Sequence, residues 1–447
     1  MVRKPEPAPK GKLGADALEG LNKVTELGAT MEVLQRANRD YLYWDRFKHL
    51  PMPEGFTAEV VWFLLKFMRR LSSKPTPIAD VHGQSFWYSL TDELQRCLMV
   101  VDQQAGGAVG ASASSIPPNT RERYLLSNLM EEAIASSQLE GAATTRQVAK
   151  DMLRSGRRPQ SRGERMVFNN YRTISWIREL LDRPVTPELL LRIQESMTEG
   201  TLRDESESGR YRTSDDEIII GDDRGQVVHV PPRARDLPTE LERFCAYANE
   251  DGDPFVHPVI KAVLLHFWLA YIHPFCDGNG RTARALFYLY MIKHGYWLFE
   301  YVSISSVILH KRSQYERAFL YSETDDADVT YFLTFHLRAI ETALGQLWEY
   351  IDEKNREDAG LRARLTRDQG LNHRQRALLG RASEDANATF TIESHRASHN
   401  VAYATARSDL MELAGKGYLD SRRDGRAYVF SPASDIRTKL VPPTTRE

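Results

Sequence analysis

The sequence is poor in three things. Cys97, Cys245 and Cys276 are its only cysteines in 447 residues. An odd, widely spaced set speaks against a disulfide framework or a structural zinc site and fits a reducing compartment. Cys276 reads as filler at a variable position rather than as a nucleophile. Long apolar runs are missing too. The two longest, residues 60–67 (VVWFLLKF) and 262–272 (AVLLHFWLAYI), fall well short of the roughly 20 residues that span a bilayer. The opening stretch, MVRKPEPAPKGKLGAD, is basic and proline-rich with no apolar segment. A secretory signal is therefore not expected, and a cytoplasmic protein with no membrane partner is. Finally, neither sign of charge is in excess: 59 basic and 61 acidic residues leave a net −2. That excludes a chain-wide electrostatic footprint for nucleic acid, though not a local patch.

What remains is ordinary for a globular protein, with 42% hydrophobic and 27% charged residues. The length suggests two or three domains. Residues 1–28 read as a disordered basic, proline-rich tail, and 29–115 as an N-terminal helical extension. A small-residue stretch near 107–119 reads as a linker. Residues 116–350 then form a mainly α core. Its first helix is expected over 120–141, ending at Gly141, and a later one begins at Thr186-Pro187, a good start signal. Residues 215–238 hold two short β-branched runs around a glycine turn, a hairpin signature. Residues 257–272 predict a buried apolar helix. Residues 360–435 have the helix, glycine stop, strand, turn and strand of a small α+β winged helix-turn-helix domain.

The informative stretch is YIHPFCDGNGRTARAL, residues 271–286. Gly278 and Gly280 permit backbone conformations closed to other residues, just before a helix expected to start near Arg281. A helix N-terminus behind a glycine turn offers free N–H groups to an anion. Arg281 and Arg284, three apart, share a helix face, and the guanidinium fork suits phosphate oxygens. Asp277 suits a magnesium ion, which prefers oxygen ligands and phosphates. His273, at the end of the buried helix, suits a general base. Each piece alone has a bland reading: a turn, a structural His-Pro, a solvated face. Together in twelve residues they read as phosphoryl or nucleotidyl transfer, where positioning and electrostatics supply the catalysis.

HPFCDGNGRTAR matches every fixed position of the Fic signature, and the chain resembles the Fic family over roughly residues 120–345. The resemblance implies a Fic-type helical core with a β-hairpin flap. It implies transfer of AMP from ATP, with Mg2+, to a Tyr, Thr or Ser hydroxyl of a target protein, or of the protein itself. On that analogy His273 deprotonates the hydroxyl and Asp277 binds the metal. Asn279 and the backbone of Gly278 and Gly280 hold the α-phosphate. Arg281 takes the β-phosphate and Arg284 the γ-phosphate, while Phe275 anchors the loop. Gly280 stands where the kinase branch of the family carries Lys. Val228, His229 and Val230 of the hairpin would clamp the target segment by strand addition, and Lys311 and Tyr315 would lie on the adenosine side.

A second stretch, ASSQLEGAATT (135–145), reads by itself as a helix end with a glycine stop. It resembles the Fic inhibitory motif, with Ser136, Glu140 and Gly141 in register, which implies the class inhibited from the N-terminal side. Glu140 would then occupy the arginine fork that the γ-phosphate needs. Some relatives use the same Glu to remove AMP, so a de-AMPylating or bifunctional enzyme on this site is an alternative. A DNA-binding regulator is another. Against it, residues 401–430 hold five basic residues (Arg407, Lys416, Arg422, Arg423, Arg426) and four acidic ones (Asp409, Glu412, Asp420, Asp424), thin for phosphate binding. A homodimer is compatible with the sequence and not indicated by it.

Overall fold

The computed structural model describes residues 4–9, 28–106, 118–216, 218–221, 225–250, 252, 254–367, 370–384, 388–424 and 427–440. They fall into two compact units. One comprises residues before 116 together with 124–345, the other 116–123 together with 346 onward. Among the described residues no helix is long and apolar enough to cross a membrane.

The first unit opens with α1 (Gly28–Arg39), α2 (Trp44–Phe47) and α3 (Ala58–Leu71). The apolar face of α3 buries Val61, Trp62, Leu64 and Leu65 against Tyr43, Trp44 and Phe47. Residues 4–9 depart from the expected disordered tail. Ala8 is buried in this cluster, Trp44 Nε1 donates to Glu6 Oε1 at 3.3 Å, and Lys48 pairs with the Glu6 carboxylate. The rest of that tail, and most of the expected linker, lie outside the described residues.

The extension also contains strands that helical periodicity does not predict. β1 (Ser73–Ala79) and β2 (Ser85–Ser89) form an antiparallel pair with Lys74 opposite Tyr88. Pro75 and Pro77 cannot donate to a ladder, but a two-stranded ribbon has free edges that tolerate them. Burial of Phe86, Trp87 and Tyr88 drives the pairing. α4 (Asp92–Ala105) follows.

The core runs through α5 (Pro118–Leu139), α6 (Arg146–Ser155), α7 (Arg162–Trp176) and α8 (Pro187–Thr198). Thr186 caps α8, its hydroxyl accepting from Leu189 N at 3.2 Å. The hairpin is shorter than its expected range: β3 (Ile220–Gly221) and β4 (Val227–His229) pair Ile220 with His229 and Gly221 with Val227. Residues 217 and 222–224 lie outside the description. α9 (Leu237–Asn249), α10 (Pro258–Ile272), α11 (Asn279–Lys293), α12 (Ile304–His310), α13 (Arg312–Thr324) and the long α14 (Thr330–Arg367) complete the order. Thirteen of the fifteen residues of α10 are buried, so it is an interior helix rather than an amphipathic one. Each large side chain buried there contributes about 1.5–3 kcal/mol. That is why its C-terminal end, where His273 sits, is a firm platform.

The second unit continues with α15 (His373–Glu384), β5 (Phe390–Thr391), α16 (Ile392–His399), α17 (Tyr403–Gly415), β6 (Leu419–Asp424), β7 (Ala427–Pro432) and α18 (Ile436–Leu440). Its sheet is antiparallel in the order β5-β7-β6. Leu379, Leu410, Leu413 and Phe430 lie in its own apolar core. The buried Asp409 accepts from Arg374 Nε and Asn372 Nδ2, both at 2.7 Å, and bonds His395 Nε2 at 3.1 Å, tying its helices together.

Candidate active site

Helix α10 ends on His273, which adopts a left-handed backbone (φ 46°) ahead of Pro274. Such a conformation costs a side-chain-bearing residue about 1–3 kcal/mol and persists only where its surroundings impose it. Arg212 supplies much of the restraint. Its Nε donates to His273 O at 2.8 Å, its Nη2 to Ile272 O at 3.1 Å, and its own N–H to Pro274 O at 2.9 Å. The sequence offers no sign of this role: Arg212 sits in a polar stretch and reads as solvated.

The loop from His273 to Asn279 closes on itself. Phe275 is fully buried and stacks on Tyr211 at 5.3 Å. Asn279 Oδ1 accepts from Phe275 N at 3.0 Å and its Nδ2 donates to Phe275 O at 2.8 Å. Both ends of the amide are thus used to shape the loop. Gly278 has φ +89°, and a Cβ there would stand 2.8 Å from Thr198 Cγ2, so this position needs glycine. Gln194 Nε2 donates to Asp277 O at 3.1 Å, a second support that the sequence did not reveal. Helix α11 starts at Asn279, two residues earlier than expected.

The predicted residues then divide into three groups. A pocket of about 240 Å³ is lined by His273, Asn279, Gly280, Arg284, Glu140, Tyr315, Val228 and His229. Asp277, Gly278 and Arg281 do not line this pocket. Arg281 is fully buried, donating from Nη1 to Met197 O at 2.9 Å and from Nη2 to Asp277 Oδ1 at 3.2 Å. Lys311 is elsewhere. It caps the start of α13, its main-chain carbonyl accepting from Tyr315 N at 3.1 Å, and it lines a separate pocket with Arg46 and Arg317. Val230 is exposed and outside the pocket lining. The His229 side chain turns inward: Nδ1 lies 2.7 Å from Glu323 Oε2 and Nε2 2.8 Å from Tyr271 O.

Ser136 and Glu140, the residues in register with the resembled inhibitory motif, are brought to Arg284. Its Nε donates to Ser136 Oγ, and its Nη2 to Ser136 O and to Glu140 Oε1, each at 2.9 Å. Glu140 Oε1 would stand only 2.1 Å from a Cβ built on Gly280. The carboxylate therefore lies directly against the first turn of α11, where unpaired N–H groups favour an anion. Burial pushes the Glu140 pKa up, yet Arg284 and Arg281 outweigh it and leave it lowered. Burial likewise works against the Arg284 charge, and Glu140 more than compensates. Gly141 (φ +85°) contributes the left-handed residue that ends α5, beside the Ala142 N to Ser137 O bond of 3.0 Å.

Burial holds the His273 pKa at about 4, so the ring is neutral near pH 7. Its Nδ1 is 3.2 Å from Ala270 O. A carbonyl only accepts, so Nδ1 carries the proton and Nε2 keeps a lone pair. Tyr315 OH is 3.2 Å from His266 Nε2, and burial pushes its phenol pKa up. Burial raises the Cys276 thiol to about 11, so it is not a thiolate near neutrality.

A neutral base, an arginine fork, a glycine-shaped loop and a helix N-terminus thus surround one small pocket. Residues 184–291 match the sequence model of the Fic/DOC family. Over 138 residues the chain is 30% identical to the protein adenylyltransferase Fic of Nematostella vectensis, covering 31% of this chain and 29% of that one. Over 150 residues it is 31% identical to the protein adenylyltransferase Fic of Drosophila yakuba, covering 33% and 27%. The fold is similar to that of a Fic family protein from Desulfovibrio desulfuricans, with a TM-score of 0.53 at 19% identity over 78% of this chain and 98% of that one. The chain carries a Fic domain. It spans less than a third of the length of the curated relatives it matches.

Proposed function

We propose that this chain is a protein adenylyltransferase whose activity is restrained by Glu140. The carrying observation is the Glu140 carboxylate, 2.9 Å from Arg284 Nη2 and pressed against Gly280 beside a neutral His273. The Glu140 carboxylate takes the place beside Arg284 and Gly280 that a γ-phosphate would need, so the two compete for it.

With Glu140 displaced, Arg284 is free to take the γ-phosphate in the carboxylate's stead. The Gly280 N–H is offered to the α-phosphate, and the Gly278 N–H joins it on leaving Asp277 Oδ1, to which it donates at 2.6 Å, while Asn279 keeps the loop in shape and Arg281 approaches the β-phosphate from behind the loop. His273 Nε2 accepts the proton of a target Tyr, Thr or Ser hydroxyl. That oxygen attacks the α-phosphorus, the bond to the β-phosphate oxygen breaks, and pyrophosphate leaves. Asp277 is suited to Mg2+: its side chain is 35% exposed, and its Oδ2 has only a 3.4 Å contact to Arg162, so an oxygen remains for a hard cation. A magnesium ion held there would neutralise phosphate charge as the bond breaks. Tyr315 lines the pocket on the side suited to adenosine. Ile219, Val227 and Val230 around the hairpin are exposed apolar residues, suited to a target segment added as a strand.

Intact mass after incubation with ATP and Mg2+ tests this reading. Glu140→Gly is expected to gain an AMP-sized mass, wild type much less, and His273→Ala none. A phosphate-sized gain, or no gain in any variant, overturns it. A second reading, removal of AMP, is favoured by the ionised Glu140 in the same pocket as His273, where it can orient a water. Loss of AMP from modified protein on adding wild type, but not Glu140→Gln, would carry it. The helix, strand, helix, helix, strand, strand order of the second unit, with Arg422 and Arg423 exposed on β6, fits a winged helix. Salt-dependent binding of nonspecific duplex DNA tests whether it adds a DNA function.

A further inference from the structure

His229 makes two bonds that no neutral histidine can make together. Its Nδ1 faces a carboxylate oxygen of Glu323 on α13 at 2.7 Å. Its Nε2 faces the main-chain carbonyl of Tyr271 on α10 at 2.8 Å. A carbonyl and a carboxylate both accept, so both ring nitrogens must donate, and a neutral imidazole has one N–H. The pair therefore holds one extra proton. The ring is 8% exposed, so water does not readily replace either partner. The placement matters because His229 is the last residue of β4, in the hairpin over the pocket, and Tyr271 is two residues before His273.

We propose that His229 is a positioning residue: as an imidazolium it pins the hairpin to the end of α10 and to Glu323, so that the hairpin is held at neutral pH and below and loosens as the pH rises. This rests on the reading of the pocket as a site of AMP transfer to a protein hydroxyl, since a hairpin held in place is what an added target strand would pair with. β3 and β4 are two and three residues long, and a two-stranded pair is marginal alone.

The groups facing His229 divide in sign. Glu323 from α13 favours the charged ring, and so does the Tyr271 carbonyl from α10. Burial opposes it first and most, and Arg212 from the loop before β3 opposes it as well. The balance leaves the pKa above the ordinary value of about 6.5. Of the other titratable neighbours, His273 is neutral, and the His229 charge helps keep it so; the Tyr271 phenol, its ring 5.0 Å from His229, is pushed up by burial and stays neutral as well. A group whose pKa is raised on folding stabilises fully below its unfolded pKa and loses that contribution as pH climbs through the folded value. Since His273 titrates at about 4, it adds no pH dependence on the alkaline side.

Two measurements test the proposal, one independent of turnover. In histidine-ring NMR of the wild-type protein, the resonance missing from His229→Gln should titrate above pH 6.5, and in Glu323→Gln it should titrate at least one pH unit lower. A wild-type ring that titrates at or below 6.5 overturns the strut whatever the enzyme does. For activity, the rate of AMP gain is followed from pH 5.5 to 9 in the Glu140→Gly background. The rate should fall on the alkaline side, and Glu323→Gln should move that limb at least one unit lower. A limb that Glu323→Gln leaves in place overturns the link between strut and transfer. If Glu140→Gly gains no AMP at any pH, the adenylyltransferase reading fails. The strut is then judged by the NMR titration and by amide exchange of residues 225–230 at pH 6, which should be faster in Glu323→Gln; unchanged exchange refutes it.

Discussion

Replacing Glu140 with glycine removes one acceptor from Arg284 and leaves two. Ser136 Oγ and Ser136 O, each 2.9 Å away, still hold the guanidinium. The fork therefore stays in position while its outer N–H becomes free. How much restraint is lost follows from the exposure of the partners. Arg284's side chain is 4% exposed and Glu140's 30%. A fully buried pair broken from one side costs about 3–5 kcal/mol, but Glu140 reaches solvent and Arg284 keeps its other partners. The figure for one hydrogen bond to a charged group, about 1.5–3 kcal/mol, is the better guide. At about 1.4 kcal/mol per factor of ten, ATP should bind roughly 10–150-fold more tightly once the carboxylate is gone. Calorimetry of ATP on His273→Ala and on His273→Ala/Glu140→Gly measures this without turnover. AMP, which lacks the γ-phosphate, should gain less than ATP. Equal ATP affinities in the two variants would refute the competition between Glu140 and phosphate, even if both bind.

Three further outcomes follow from the same geometry. Burial depresses the His273 pKa to about 4 with the Glu140 carboxylate beside it, and loss of that carboxylate lowers it further, so the rate in Glu140→Gly should show no drop above about pH 4; a drop near pH 6.5 would contradict the buried, neutral ring. The sign for stability is the same, because the unfolded chain takes up a proton at about 6.5 that the folded ring refuses, and the fold loses stability as pH falls below that. Gly278→Ala forces a Cβ to 2.8 Å from Thr198 Cγ2 at φ +89°, and should destabilise by about 1–3 kcal/mol, read as a lowered Tm; an unchanged Tm would mean the loop rearranges freely. Asp277→Asn in the Glu140→Gly background should raise the half-maximal Mg2+ for AMP gain at least tenfold, and an unchanged Mg2+ dependence would move the metal off Asp277.

Which parts of this site a reader of the sequence finds depends on what carries each role. Between His273 and Arg284 the role is carried by side-chain identity over twelve residues, and the glycines announce the turn between them. Ser136 and Glu140 lie 148 and 144 residues from Arg284; no periodicity links such distant positions, and only the resemblance of the stretch around Glu140 to an inhibitory motif does so. The β1–β2 hairpin was hidden by Pro75 and Pro77, which argue against strands everywhere except at a free edge. Lys311 was placed on the adenosine side by resemblance alone, and its side chain lines a different pocket from Tyr315.

Arg212 and Gln194 escape for a different reason. Their partners are main-chain carbonyls, of His273 and Ile272 for one and of Asp277 for the other. A carbonyl is the same at every residue, so nothing in the sequence marks it as the partner awaiting an arginine. Asn279 stands between the two cases. Its type points to phosphate, yet in this state both polar atoms of its side chain are spent on the Phe275 backbone. The loop is thus shaped from inside by Asn279 and gripped from outside by Arg212 and Gln194 before any ligand arrives. A loop already formed does not need a nucleotide to order it, so on the proposed reading the step that ATP must drive is the departure of Glu140, and control of the site would rest on the pair between Glu140 and Arg284 rather than on the motif that names the domain.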